Sequence, residues 1–391
     1  MKIISVVGAR PNFMKIAPFI RALQAYSAEG EEIQHILVHT GQHYDARMSE
    51  TFFKALNIPE PDINLHVGSG SHAEQLGHTM IEFEKVLVEE KPDWVVVVGD
   101  VNATLSCSVI AKRHRIKVCH IEAGLRSGDM RMPEEVNRLV TDRLSDLLLT
   151  PDRLSSENLR QEGTPEEKIC FVGNIMIDTL EENREKAAAL SLEKIITDNL
   201  AKDCELPATF PLDDQYALMT MHRPSNVDHQ EVLKPMIDFL VDEVARDQHL
   251  IWPIHPRARK QLQTFGLWEK VLSAPNLVLL EPVGYHEMLR LNTGARIMLT
   301  DSGGLQEECC VLGTPCLTLR WNTERPITLR EHGGASLLVG NNIQRIRDAY
   351  QETLSMDRSP SRPEFWDGHT AERMVNALME THQPKLVENE N

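Results

Sequence analysis

The octapeptide DSGGLQEE, Asp301 to Glu308, is the stretch whose residue types and spacing point most directly to chemistry. It follows the apolar run ARIMLT and precedes GTPCLTL, so it reads as a strand, a Gly-Gly turn and the start of a helix. A helix start presents backbone N–H groups without intrahelical partners at the positive end of the helix dipole, and so binds anions. Gly303 and Gly304 would let a diphosphate approach the backbone without a Cβ in the way, and Ser302 could add a hydroxyl donor. Glu308 suits phosphate poorly but suits a ribose diol, which donates hydrogen bonds. An ordinary glycine turn beside a surface acid accounts for these residues equally well when they are taken alone.

Other polar residues follow apolar runs in the same way. Arg10 comes after KIISVVG, Asp100 after WVVVVG, Glu122 after KVCHI, and His222 with Arg223 after YALMTM. Ligands of open α/β sheets bind beyond the carboxyl ends of the strands, which is where each of these would stand. Lys15 lies about one helical turn beyond the Arg10 loop and can point the same way, or be a plain exposed helix residue. Glu134 and Arg138 of PEEVNR lie four apart and share a face if Pro133 opens a helix; a solvated ion pair is the alternative. Asp100 could instead cap a helix beginning near Asn102, and His222 could be a hydrogen-bonded core histidine.

These residues need a scaffold, and the rest of the chain supplies one. At 391 residues it is too long for one core and fits two domains. Charged residues at 25% and hydrophobic ones at 41% describe a soluble globular protein. The formal charge of −17 argues against nucleic acid as a partner, and no run approaches the ~18 apolar residues of a membrane span. Seven scattered cysteines without a CxxC pair suggest reduced thiols and a cytoplasmic protein, and the short apolar start before Arg10 does not read as a signal peptide. Apolar runs at 2–8, 33–39, 93–98 and 117–121 alternate with helical segments. A second series begins at 216–221 and continues through HLIWPIHP, NLVLLEPVGY, ARIMLT and PCLTLRW. This alternation predicts two Rossmann-like, doubly wound α/β domains facing across a cleft. The boundary falls at residues 1–175 and 176–366, with a last helix at 367–385 packing back on the first domain.

The ordered set MKIISVVGARPNFMKIAPFIRAL, HTGQHYD, GDVNATLS, HIEAGLRSGDMRMPEEVNR, MHRPSN, HPRA and TDSGGLQEECCVLGTPCLTLRWNTERPITL resembles the non-hydrolysing UDP-N-acetylglucosamine 2-epimerases, from residue 1 to about 340. The resemblance implies a glycosyltransferase-B-like fold, a UDP-sugar substrate and a homodimer. By matching motifs, Ser302, Gly303, Gly304, Glu308 and His222 would hold diphosphate and ribose, with Arg10 and Lys15 reaching in from the other domain. Arg320 and Arg325 of LRWNTERP fall where the family gathers positive charge. Asp100, Glu122 and Glu134, with His222, match the catalytic set, and Arg138 a nearby binding arginine. Gln42, His43, Arg223 and His255 match the region of a second, activating substrate site.

The implied chemistry suits these residue types. The C2 proton of the sugar is too weakly acidic for direct removal, because no carbonyl stabilises the anion. Departure of UDP gives C1 cationic character, and loss of the C2 proton then yields 2-acetamidoglucal. Reprotonation from the opposite face and return of UDP complete the epimerisation. Such a reaction needs a cationic cradle and carboxylates for proton transfer, with no cofactor and no metal. The sequence departs from the family pattern in the compact GDMRMPEE, in GDVNATLS and in Ile327 after TERP. These differences spare the carboxylates and leave open a modified substrate such as UDP-2,3-diacetamido-2,3-dideoxyglucuronic acid. A glycosyltransferase using the same UDP cradle, a hydrolysing epimerase and a silent nucleotide-sugar sensor are the rival readings.

Overall fold

A computed structural model describes residues 1–28, 30, 32–41, 56, 58–202, 204–206 and 215–382, with the backbone alone at Arg10. The chain divides into two units, Met1–Thr179 with Pro363–Asn391, and Leu180–Arg362.

In the first unit the apolar runs form β1 (Lys2–Val7), β2 (Gln34–His39), β3 (Ile63–Asn64), β4 (Trp94–Val98), β5 (Lys117–Ile121), β6 (Leu147–Thr150) and β7 (Ile169–Phe171). All are parallel, in the order β3-β2-β1-β4-β5-β6-β7. No residue of β4 is more than 1% exposed, as expected for a central strand covered on both faces. One cover is helix His72–Glu90, whose Phe83, Val86 and Leu87 pack on Ile4, Val6, Val95 and Val97. Its start is set locally by a capping box: Ser71 Oγ accepts from Glu74 N at 3.3 Å, and Glu74 accepts from Ser71 N at 2.8 Å. Helix Thr370–His382 joins this unit although it ends the described chain. Its first N–H groups, from Thr370 (3.1 Å) and Ala371 (2.7 Å), donate to the buried Asp178 carboxylate, and Trp366 Nε1 donates to Pro151 O at 2.9 Å.

The second unit repeats the plan with β8 (Ala217–Thr220), β9 (Leu250–Pro253), β10 (Leu277–Leu280), β11 (Ile297–Thr300), β12 (Cys316–Thr318) and β13 (Ser336–Leu338). They are parallel in the order β10-β9-β8-β11-β12-β13. Strand β9 stops at Pro253 and Pro256 opens the next helix, Pro256–Thr264, so HLIWPIHP is part strand and part loop. Trp252 and Phe239 fill the core, Phe239 meeting Tyr350 edge-on at 5.4 Å. The charged stretch after residue 175 forms helices Ile175–Ala188 and Leu192–Asn199, and linker residues 207–214 lie outside the described set.

In both sheets the strand order reverses once, between β1 and β4 in the first and between β8 and β11 in the second. Connections leave in opposite directions at such a point and open a crevice beyond the strand ends. Arg10 and Asp100 follow β1 and β4; His222 and Asp301 follow β8 and β11.

Candidate active site

In the first unit the β1 turn is built by Asn12, whose Oδ1 accepts from Gly8 N (3.2 Å) and Ala9 N (3.0 Å) while its Nδ2 donates to Val98 O of β4 (3.1 Å). Gly8 is obligatory there, because a Cβ would meet the Ala103 Cβ at 2.6 Å. Helix Arg10–Ala28 then carries Lys15 inward, where its buried ammonium pairs with Glu122 Oε2. Glu122 follows β5 with a φ of +68°, a left-handed conformation that costs a non-glycine residue roughly 1–2 kcal/mol. The carboxylate is therefore buried, held in a strained turn and placed against an ammonium.

Asp100 hangs from the adjacent turn after β4, with Gly99 N bonded to Ile121 O at 3.1 Å. The helix beginning at Asn102 is preceded by Val101 without a side-chain cap, so Asp100 does not cap it. Instead its Oδ2 accepts from Arg138 Nη1 at 2.5 Å. Pro133 opens helix Pro133–Leu144 as expected, yet the ion pair within it is Glu135 with Arg138 at 2.5 Å, not Glu134 with Arg138. Burial raises the Glu135 carboxyl, and N–H groups of Ser127 and Gly128 with the Arg138 guanidinium outweigh it and hold it below its usual range. Arg138 is therefore fully engaged by two carboxylates, and Glu134, at intermediate exposure, is left on the first turn without an ion-pair partner among the described residues.

In the second unit Asp301 organises the switch point. Its buried carboxylate accepts from His222 N (3.0 Å), Arg223 N (2.8 Å) and Asn226 Nδ2 (3.1 Å), and lies 2.9 Å from His222 Nδ1. Burial pushes the Asp301 carboxyl up, but the His222 contacts prevail and it sits below its ordinary range. The His222 side chain remains 40% exposed, so its Nδ1 is anchored while the ring stays open to a ligand. His255 packs against it with ring centroids 5.4 Å apart and the planes tilted by 38°, with its own pKa lowered by burial and by the His222 charge, and its Nδ1 accepts from Arg257 N at 3.1 Å. Arg223 Nε donates to Asp301 O at 3.0 Å.

Helix Gly303–Leu312 starts immediately after Ser302, whose hydroxyl makes no capping bond. Beside that start, Arg325 pairs with Glu324 and, through Nε, with Glu307 at 2.7 Å, and Glu324 also takes Arg320 at 2.6 Å. A Cβ on Gly303 would meet Arg325 Nη1 and Glu324 Oε1, each at 2.8 Å, whereas one on Gly304 would meet nothing within 4 Å. Glu308, one turn in, is buried beside Tyr285 and Asn292; burial pushes its carboxyl up to about 7. Glu308 Oε2, the Tyr285 hydroxyl and Asn292 Nδ2 are buried close together, and none makes a hydrogen bond of good geometry among the described residues.

The structure thus joins Lys15 to Glu122, Asp100 to Arg138, and His222 to Asp301, Arg223 and His255 within their units. Gln42, His43 and the Arg10 side chain lie outside the described residues. Asn12, Glu135, Asp301, Glu307 and Glu324 support the site without having been assigned a role from sequence. The second glutamate of PEE and the acids flanking Arg325 in QEE and TER were the available signals.

The UDP-N-acetylglucosamine 2-epimerase family model matches residues 25–379. The UDP-N-acetylglucosamine 2-epimerase of Methanocaldococcus jannaschii is 42% identical over 97% of this chain and 99% of its own. Its crystal structure in complex with UDP-GlcNAc and UDP superposes with a TM-score of 0.85 over 97% of this chain and 100% of that one. A UDP-2,3-diacetamido-2,3-dideoxy-D-glucuronate 2-epimerase of Pseudomonas aeruginosa is 35% identical over 97% of this chain and 99% of its own. A lipopolysaccharide outer core galactosyltransferase, WaaB, 14% identical with a TM-score of 0.52 over 97% and 99% of the two chains, shares the fold alone. With matches that run nearly end to end, and two switch-point crevices lined by the residues of its motifs, the chain belongs to the UDP-N-acetylglucosamine 2-epimerase family.

Proposed function

We propose that the protein interconverts UDP-N-acetylglucosamine and UDP-N-acetylmannosamine by eliminating UDP to 2-acetamidoglucal and adding it back. The observation that carries this reading is Glu122, buried in a left-handed turn and paired with Lys15 at the end of β5. A nucleotide-sugar sensor has no use for such a carboxylate, and Asp100 on the adjacent turn, with Glu134, supplies further proton-transfer groups.

In the forward direction the C1–O bond breaks with its electron pair leaving on UDP, and a carboxylate takes the C2 proton. The C2–H electrons become the C1–C2 double bond of the glycal. For return, a carboxylic acid delivers a proton to the other face of C2, and a UDP oxygen bonds C1. Asp100, Glu122 and Glu134 are the candidates for these transfers. The Ser302 hydroxyl and the N–H groups of Gly303 and Gly304, with His222, Arg325, Arg320 and Arg10, offset the negative charge that grows on the departing diphosphate. Lys15 supplies the counter-charge of Glu122, and Arg138 orients Asp100. Glu308 accepts from the ribose diol. Arg223, His255, Gln42 and His43 are candidates for activation by a second substrate molecule; the packing of His255 against His222 supports a direct link between the two events.

The enzyme acts as a cytoplasmic homodimer in this reading. No helix among the described residues is long and apolar enough to cross a membrane, and the described cysteines are free. Ile81, Val88, Val136 and Val140 leave apolar side chains exposed on two helices of the first unit, where a second copy could cover them.

The test is NMR of UDP-N-acetylglucosamine with the pure protein in D2O and no acceptor. UDP-N-acetylmannosamine deuterated at C2 is the expected product. Free N-acetylmannosamine with UDP would assign the hydrolysing reaction instead. The Pseudomonas relative favours one second reading, a diacetamido uronic acid sugar; turnover of that UDP-sugar alone would establish it over the first.

A further inference from the structure

We infer that His120 and Asp142 form a buried, charged positioning pair that holds the turns carrying Asp100 and Glu122 in register with each other. The inference rests on the proposed reaction, because it assigns those turns their importance.

His120 lies in β5 among Val118, Cys119 and Ile121 and is wholly buried. Its Nε2 is 2.8 Å from Gly99 O, a carbonyl that can only accept, so Nε2 carries a hydrogen. Its Nδ1 is 2.6 Å from Asp142 Oδ1. The other oxygen of Asp142 accepts from Gly124 N at 3.0 Å and lies 2.7 Å from Arg126 Nη1. Burial raises the Asp142 carboxyl, but His120 and the Arg126 guanidinium outweigh it and hold it below its ordinary range. With these donors it is ionised, which calls for a hydrogen on Nδ1. The ring is then an imidazolium, donating from both nitrogens. Arg126 continues to Glu162 through two bonds of 2.7 Å, so the set His120, Asp142, Arg126 and Glu162 balances its charge.

The connections explain why an ionic group occupies an interior strand position that an aliphatic residue could fill. Through Nε2, His120 fixes Gly99, whose φ of +68° sends the chain on to Asp100. Through Asp142 it fixes the Gly124 N–H, two residues after Glu122. Gly124 has a φ of +82° and no room for a Cβ, which would meet Ser155 O at 2.3 Å. The far side of this turn is held by Asn158 Nδ2 on Gly124 O at 2.9 Å. One pair therefore ties together two strand-end turns whose carboxylates must keep their relative positions through both proton transfers. Neither His120 nor Asp142 reaches a ligand; both act through the backbone.

The experiment has two arms on the full-length protein. In ligand-free wild type labelled with 15N-histidine, and assigned by the signal lost in His120→Gln, both ring nitrogens of His120 should be protonated. A spectrum with one protonated and one bare nitrogen overturns the charged pair. In the second arm, Asp142→Asn should lower kcat about 10²-fold, the cost of a displacement near 1 Å, with KM and UDP affinity within about threefold of wild type. A folded variant that keeps kcat within about threefold, or loses UDP affinity in parallel with kcat, overturns the positioning role. Absence of UDP-N-acetylglucosamine turnover in wild type would strike the proposed reaction, whereas ring protonation judges the pair independently and needs no variant that folds beyond the one used for assignment.

Discussion

At the scale of single residues, the adjacent glycines of DSGG separate folding from binding. A Cβ at Gly303 collides with Arg325 and Glu324, so Gly303→Ala should disturb the folded protein as well as its ligand. Gly304 has open space around it and sits in a helix, where alanine is favoured by roughly 0.5–1 kcal/mol. Gly304→Ala should therefore keep or raise the melting temperature while weakening UDP at least about tenfold if diphosphate lies on this turn, about 1.4 kcal/mol. Calorimetric unfolding and UDP titration on the same sample check both halves. Glu122→Gln should abolish epimerisation with UDP affinity little changed; a large loss of UDP binding would assign Glu122 to the nucleotide instead.

Glu308 adds a pH dependence whose sign follows from its burial. With its carboxyl raised to about 7 in the folded chain, above the ordinary glutamate value of 4.5, it favours folding below 4.5 and loses that contribution as pH climbs through 7. Ribose hydroxyls donate to the ionised form, so UDP should bind about tenfold more tightly at pH 8 than at pH 6 from this group. Glu308→Gln should remove that component, and the comparison by titration calorimetry isolates it from the ligand's own ionisation.

Elements set these residues in place. The loop between β12 and β13 is held by the buried alternation Glu307, Arg325, Glu324, Arg320, in which every cation meets an acid. Breaking such a chain leaves an uncompensated buried charge, so Glu324→Ala should cost about 3–5 kcal/mol and weaken UDP as Arg325 relaxes from the DSGG helix start. Unfolding in urea measures the first and titration the second. Much of the element level was legible in the sequence: β4 and β8 stand as continuous apolar runs, and Pro133 marks its helix start. The short strands β3, β7 and β13 were not, because two or three residues carry no periodic signal and exist only by pairing with a neighbour.

At the scale of the whole molecule, the two units share one strand order over six strands, β7 being added to the first, and in each the switch point has different surroundings. The first gathers carboxylates matched to Lys15 and Arg138; the second gathers His222 against Asp301 and Arg325 beside a helix start. The proposed anionic substrate on a chain of formal charge −17 would therefore rely on local rather than global charge. Val136 and Val140 lie one turn apart, both 37% exposed. Val140→Lys should convert the proposed homodimer to monomer in light scattering, with the melting temperature of the monomer reported alongside. A wild-type monomer at working concentration would end the homodimer proposal.

The sequence by itself determined the longer buried strands, what stands at their ends and which family the ordered motifs resemble, because these properties are local and survive reading along the chain. Only the tertiary structure decided the partners. Arg138 takes Asp100 and Glu135 rather than Glu134, Lys15 takes Glu122 across 107 residues, and His120 bridges Gly99 and Asp142. Apart from the Glu135–Arg138 pair inside one helix, these pairings depend on β1, β4 and β5 lying side by side, which no single segment encodes. Burial then makes the choice strict, since a charge removed from water must find an opposite charge or a hydrogen bond within reach.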